Sequence, residues 1–168
     1  ASSSSSASSP GSFTIQAFRV KPSLPPNFEQ DTWHRLKAAV QAIHKNEPIL
    51  GSLEELYQCV ENLCTHNFAH ALYSKLKQEC TQHVQTQIER IAQESSTLEP
   101  VEFLKFVREQ WLSHCDQMKK IRNIFLYLDR TFVIQTTQLP SLWELGVSLF
   151  RKFFLVDSTS SRCVASTT

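Results

Sequence analysis

The stretch LEPVEFLKFVREQWLSHCDQMKKIRNIFLYLDRTF, Leu98–Phe132, decides the fold. Within it Leu104, Val107, Trp111, Cys115, Met118, Ile121, Phe125, Leu128 and Phe132 recur in steps of three and four. That spacing is one face of an α-helix, on which side chains three and four apart stand above one another. Phe103, Phe106, Ile124 and Tyr127 widen the stripe, so the helix is expected to touch more than one neighbour. Neither Pro nor Gly interrupts the chain between Pro100 and Pro140, which predicts one continuous helix roughly 50 Å long.

Upstream, Leu72, Leu76, Cys80, Val84, Ile88 and Ile91 predict a helix from about Ala69 to Gln93. Ser95, Ser96 and Thr97 break it. Thr97 is expected to cap the long helix, with Pro100 in the first turn, where a missing N–H costs little. Ser52 and Glu55 have capping-box spacing and open a helix carrying Leu53, Leu56, Val60 and Leu63. Before that, Trp33, Leu36, Val40 and Ile43 predict a helix from Asp31 to about Lys45, stopped by Asn46-Glu47-Pro48. Downstream, Leu142, Leu145, Leu149 and Phe153 predict a last helix from Ser141 to about Val156. Trp143, Val147, Phe150 and Phe154 are expected to point elsewhere and form an adhesive patch.

The expected fold is therefore all-α, a helical bundle of about five helices over residues 31–156. Residues 1–12 are Ser-rich and polar and are expected to be disordered. Residues 13–30 are expected to be an extended arm, because FTIQAF alternates apolar and polar and Pro22, Pro25 and Pro26 enforce extended backbone. Phe13, Ile15 and Phe18 suit either packing on the chain's own bundle or docking on a partner. Residues 157–168 lack helical period and are expected to be a disordered tail.

A net charge of +1 in 168 residues gives no electrostatic case for nucleic acid or anionic membrane. No apolar run approaches the length of a membrane span. Position 1 is Ala and the one Met is Met118, so a longer N-terminus is expected. Five Cys without a secretory context suggest reduced intracellular thiols. Cys59, Cys64, His66 and His70 resemble a zinc set. However, Cys59 and Cys64 lie about 140° apart on a helix and do not converge, so no metal is expected. Cys80 and His83 can meet at i,i+3, and His114 adjoins Cys115, yet neither pair has a third, orienting member. Three scattered glycines form no phosphate loop. Neither an enzyme nor a cofactor is indicated.

IRNIFLYLDRTFV followed by LPSLWELGVSLFR resembles the segment that closes the first repeat of the cullin N-terminal region. LEELYQCVENLC and FEQDTWHRLKAAVQAI resemble the cullin 4 branch of that family, over about Phe13 to Arg151, and the resemblance ends before the tail at Asp157. It implies a non-catalytic scaffold module of a cullin-RING ubiquitin ligase, acting in ubiquitin-dependent protein catabolism in nucleus and cytoplasm. The implied partner is a damaged-DNA-binding triple-propeller adaptor. Neither a RING subunit nor modification by Nedd is expected, because the half of a cullin that carries them does not match this truncated chain. The implied adaptor contacts are Phe13, Ile15 and Phe18 of the arm, Leu53, Leu56, Tyr57 and Val60 of the second helix, and Trp111 and Leu112 of the long one. From the residues alone, a structural bundle whose apolar surplus is all core, with no adaptor binding, accounts for the same pattern.

Overall fold

The computed structural model describes residues 24–164, with side chains to residue 155. Six helices follow one another: α1 Phe28–His44, α2 Leu53–Thr65, α3 Ala69–Glu94, α4 Pro100–Ile124, α5 Leu126–Leu128 and α6 Leu142–Val164. α5 runs directly into a π-helical turn, Asp129–Val133. The described residues contain no strand, and the chain is all-α as expected. Residues 1–12 and the arm residues Phe13, Ile15 and Phe18 lie outside the described residues.

The core is built from the predicted lines. Leu36, Val40 and Ile43 of α1, Leu56, Val60 and Leu63 of α2, and Leu72, Leu76, Cys80, Val84, Ile88 and Ile91 of α3 are all buried. Two ion pairs clasp α1 to α3 at the rim, Lys37 to Glu79 and Lys75 to Glu29, each at 2.6 Å. α1 begins at Phe28, three residues before the expected start, and the Phe28 N–H donates to the Pro25 carbonyl at 3.0 Å.

Caps follow the expected chemistry only in part. Ser52 Oγ accepts the Glu55 N–H at 3.1 Å, but the Glu55 carboxylate lies 3.7 Å from Arg35 of α1. A reciprocal capping box occurs instead at α6. There Ser141 Oγ accepts the Glu144 N–H at 3.2 Å, and Glu144 Oε2 accepts the Ser141 N–H at 3.0 Å. Thr97 does not cap α4. Its hydroxyl donates back to the Glu94 carbonyl at 3.2 Å and closes α3, and the N-cap position of α4 falls to Glu99 with Pro100 first in the helix.

The expected single long helix is broken. α4 covers 25 residues, about 37 Å, and ends at Phe125, whose φ of −92° and ψ of 19° leave the helical region. Ile121, Ile124, Phe125 and Leu128 are all buried, at the i, i+3, i+4, i+7 spacing that keeps them on one side across the break. The π turn adds a second correction. Its bonds span five residues, so Val133 rather than Phe132 follows Leu128 into the core.

The face of α4 also differs. Leu104 is 68% exposed, whereas His114 and Gln117 are buried ahead of Met118 and Ile121, and Phe103 and Phe106 pack against the core. The polar pair is tolerated because it is bonded. His114 Nε2 is 3.0 Å from the Gly146 carbonyl of α6, and Gln117 Nε2 donates to the His44 carbonyl of α1 at 3.2 Å.

α6 packs on α3 and α4. Leu142, Leu145 and Leu149 are buried as expected, but so is Phe150, which leaves the expected exposed patch. Its ring centroid is 5.1 Å from Trp111 and 5.2 Å from His114. Phe153, expected inside, is half-buried. The helix continues to Val164, past the expected end at Val156 and into the segment expected to be disordered. No Pro or Gly stands in DSTSSRCV to stop it, and Ser, Thr and Asp cost only a few tenths of a kcal/mol each in a helix.

Candidate partner-binding surface

α2 carries a full apolar face inward and a second apolar edge outward. Leu56, Val60 and Leu63 recur at three- and four-residue steps and are buried. Leu56 and Val60 are therefore core residues and unavailable to a partner. Their places in the expected contact set are corrected accordingly. Leu53 is 59% exposed. Tyr57, one turn on, is half-buried, and its ring meets Tyr127 edge to face with centroids 6.3 Å apart. α2 and α5 lie side by side, and this aromatic pair joins their outer edges.

Tyr127 was read from the sequence only as widening the core stripe. The bend at Phe125 carries it round to α2 and makes it part of the surface. Arg130 and Ile134 follow it, both exposed, Ile134 at 74%. The signal for this surface in the sequence was the consecutive apolar run Ile124–Phe125–Leu126–Tyr127–Leu128, too continuous for one helical face.

The two long-helix candidates separate. Trp111 is half-buried against Phe150 and, at 6.1 Å, His114, so its ring faces α6 rather than α2. Leu112 is 54% exposed. What remains of the expected outer patch on α6 is Trp143 and Val147, which with Pro140 and Leu155 line a groove.

The Cys and His side chains are engaged separately. His66 Nδ1 lies 2.7 Å from the Asn62 carbonyl, and the His70 ring meets Phe132 at 6.2 Å. Among the described residues no three His, Cys, Asp or Glu side chains gather as a metal ion requires. Burial pushes the Cys64 thiol up to about 11 and the Cys80 thiol up to about 12, so neither is a thiolate at neutral pH. His83 spends its Nε2 on the Gln117 side-chain oxygen at 3.1 Å rather than on Cys80. No helix among the described residues is long and apolar enough to cross a membrane.

The all-α architecture agrees with what sequence comparison finds. The chain is 49% identical to mouse Cullin-4A and 48% identical to human Cullin-4A, each over 143 residues that cover 85% of this chain and 19% of those proteins. It is 37% identical to Cullin-4 of Dictyostelium discoideum over 138 residues, 81% of this chain and 17% of that protein. The chain thus spans about a fifth of the length of the curated relatives it matches. The profile of the cullin alpha solenoid domain matches residues 33–167, so the likeness does not end before Asp157 but runs through the expected tail. With four-fifths of its residues inside that solenoid profile and nearly half identical to Cullin-4A, the chain belongs to the cullin family.

Proposed function

We propose that this chain is a non-catalytic scaffold module of a cullin-RING ubiquitin ligase that holds the substrate adaptor on the outer edge of α2 and the segment beyond the bend. The adaptor is a damaged-DNA-binding triple-propeller protein, a choice supported by the likeness to Cullin-4 proteins. The observation that carries the surface is the Tyr57–Tyr127 contact, which sets an exposed Leu53 and a pair of aromatic rings on one edge. Large rigid aromatics such as tyrosine are enriched at partner-binding hot spots. The module works in ubiquitin-dependent protein catabolism, in nucleus and cytoplasm. RING binding and Nedd modification belong to other parts of a whole cullin, so no RING subunit is expected to bind these 168 residues.

Calorimetric titration of the purified chain with the propeller adaptor tests the reading. Leu53→Asp and Tyr57→Ala are each expected to weaken binding at least tenfold, about 1.4 kcal/mol, without lowering the melting temperature by more than a few degrees. A loss of the same size in Leu112→Asp extends the interface along α4. Absence of binding by the folded wild-type chain returns the molecule to a structural bundle.

A further inference from the structure

Three histidines that play no part in the partner surface lie near one another on α1, α3 and α4, two of them half-buried and His114 buried. His44 closes α1, His83 lies in mid-α3, and His114 lies on α4. The His44 and His83 rings are stacked, with centroids 3.8 Å apart and planes 1° from parallel. Gln117 is the hub beside them. Its oxygen lies 3.1 Å from His83 Nε2, and its nitrogen donates to the His44 carbonyl at 3.2 Å and to Ser113 Oγ at 3.4 Å. His114 Nε2 lies 3.0 Å from the Gly146 carbonyl, between Trp111 and Phe150. Gln117 thus ties α1, α3 and α4 together, and His114 separately ties α4 to α6.

We propose that the His44–His83–His114 cluster with Gln117 is an acid-sensitive latch, holding α1 and α6 against α3 and α4 while its rings are neutral and releasing them on mild acidification.

Both ring bonds are donated and survive protonation, so what a charge loses at these sites is hydration rather than a hydrogen bond. His83 donates Nε2–H to an amide oxygen, and His114 donates Nε2–H to a carbonyl. A second proton makes His114 a cation cut off from water in the bundle core. It makes the stacked pair a charge held against a neighbouring ring that titrates in the same range. Among the described residues, the charged groups around the cluster supply no unengaged counter-ion. Lys45 comes from α1, and Glu79 and Arg90 come from α3; α4 and α6 present Ser113, Gln117, Trp111, Phe150 and the Gly146 carbonyl. The Glu79 carboxylate is held by Lys37 at 2.6 Å and by the Gln41 amide at 3.3 Å. Protons have a route in, because a cleft of about 340 Å³ lined by Gln41, Lys45, Glu79, Gln82 and Thr86 opens onto the His44 and His83 rings.

Burial depresses all three imidazoles. His44 falls from 6.5 to about 3 through loss of hydration and, secondarily, the neighbouring His83 and His114. His83 and His114 are lowered mainly by burial, with their hydrogen bonds acting partly against it. A group whose folded pKa lies below its unfolded value binds more protons when unfolded. The stability it gives is present above pH 6.5 and is lost as the pH falls towards the folded value. Below about pH 6 the unfolding constant therefore climbs by up to tenfold per pH unit for each histidine kept neutral.

Urea unfolding of the 168-residue chain from pH 7.5 to 5.0 tests the latch. The midpoint of wild type is expected to fall steeply below pH 6.5. His44→Gln/His83→Gln is expected to flatten that fall by about two protons' worth of slope. Equal slopes in wild type and variant overturn the proposal. If the variant does not fold, the histidine ring protons of the wild type decide by NMR. The three rings should keep their neutral shifts until the chain unfolds, and a midpoint near pH 6.5 in the folded state overturns the latch.

Discussion

Asp129 and Leu142 are joined across the last bend of the chain: Asp129 Oδ1 accepts the backbone N–H of Leu142 at 2.9 Å. Asp129 opens the π turn and Leu142 opens α6, so one buried carboxylate fixes both the end of the broken long helix and the start of the next. Its other oxygen accepts from Arg122 Nε at 3.3 Å. Asp129→Ala leaves a buried N–H without its acceptor, a loss of about 1–3 kcal/mol. Asp129→Asn keeps an oxygen for Leu142 and is expected to cost about half as much. Arg122→Ala, whose side chain is half exposed, should cost less than about 1 kcal/mol. Urea midpoints of the three variants should rank in that order.

α4 and α6 approach so closely at Gly146 that a methyl group there would lie 2.6 Å from Met118 Cγ and 2.8 Å from its Cε. Met118 is buried, and Cγ sits too near its own backbone to swing clear. Gly146→Ala gains about 1 kcal/mol in helix propensity but meets an overpacking cost of about 1–3 kcal/mol, so a net loss is expected. Pairing it with Met118→Ala, which has no γ carbon, removes the clash. The double variant should be more stable than the sum of the single changes implies, which a double-mutant cycle reads directly.

The core lines of α1, α2 and α3 were legible because leucines and isoleucines repeat there at helical spacing with polar residues between them. α4 was harder to read. Trp111, Cys115 and Leu104 offered an apolar line, yet His114 and Gln117 took the buried places. Their burial depends on the Gly146 carbonyl and on His44 and His83, partners 32 to 73 residues away that no local pattern announces. The bend at Phe125 was hidden because no Pro or Gly marks it and the buried Ile121, Ile124, Phe125 and Leu128 keep the spacing of one continuous helical face. The surface suffered in turn. Leu53 and Tyr57 could be picked from the α2 pattern, whereas Tyr127 reaches α2 only because the helix breaks.

Phe150 gives a direct test of that packing. Read as an outward residue, it would tolerate Glu and improve solubility; in the structure it is buried against Trp111 and His114, with Phe154 stacked at 6.0 Å. Phe150→Ala is expected to cost about 3–5 kcal/mol. Phe150→Glu should be worse still, because it sets a carboxylate among aromatic rings. Thermal unfolding should show a large fall for both variants, while Leu112→Asp on the exposed side of α4 should move the transition little.

The last expectation concerns the arm, whose Phe13, Ile15 and Phe18 precede the described residues. Its root is placed: the Phe28 ring packs edge to face on His66, at the C-terminal end of α2, with centroids 5.6 Å apart. The arm therefore leaves the bundle beside the helix proposed to carry the adaptor. The stretch from Phe13 to Asn27, if extended, spans up to about 50 Å, more than twice the length of α2. A partner seated on Leu53 and Tyr57 lies within its reach, and the alternating FTIQAF can contribute side chains from one edge. Removing residues 1–12 should leave adaptor affinity unchanged. Removing residues 1–26 should weaken it at least tenfold, about 1.4 kcal/mol, while Phe28 and the melting temperature are retained. Equal affinities for the two truncations in the same titration would confine recognition to the bundle surface.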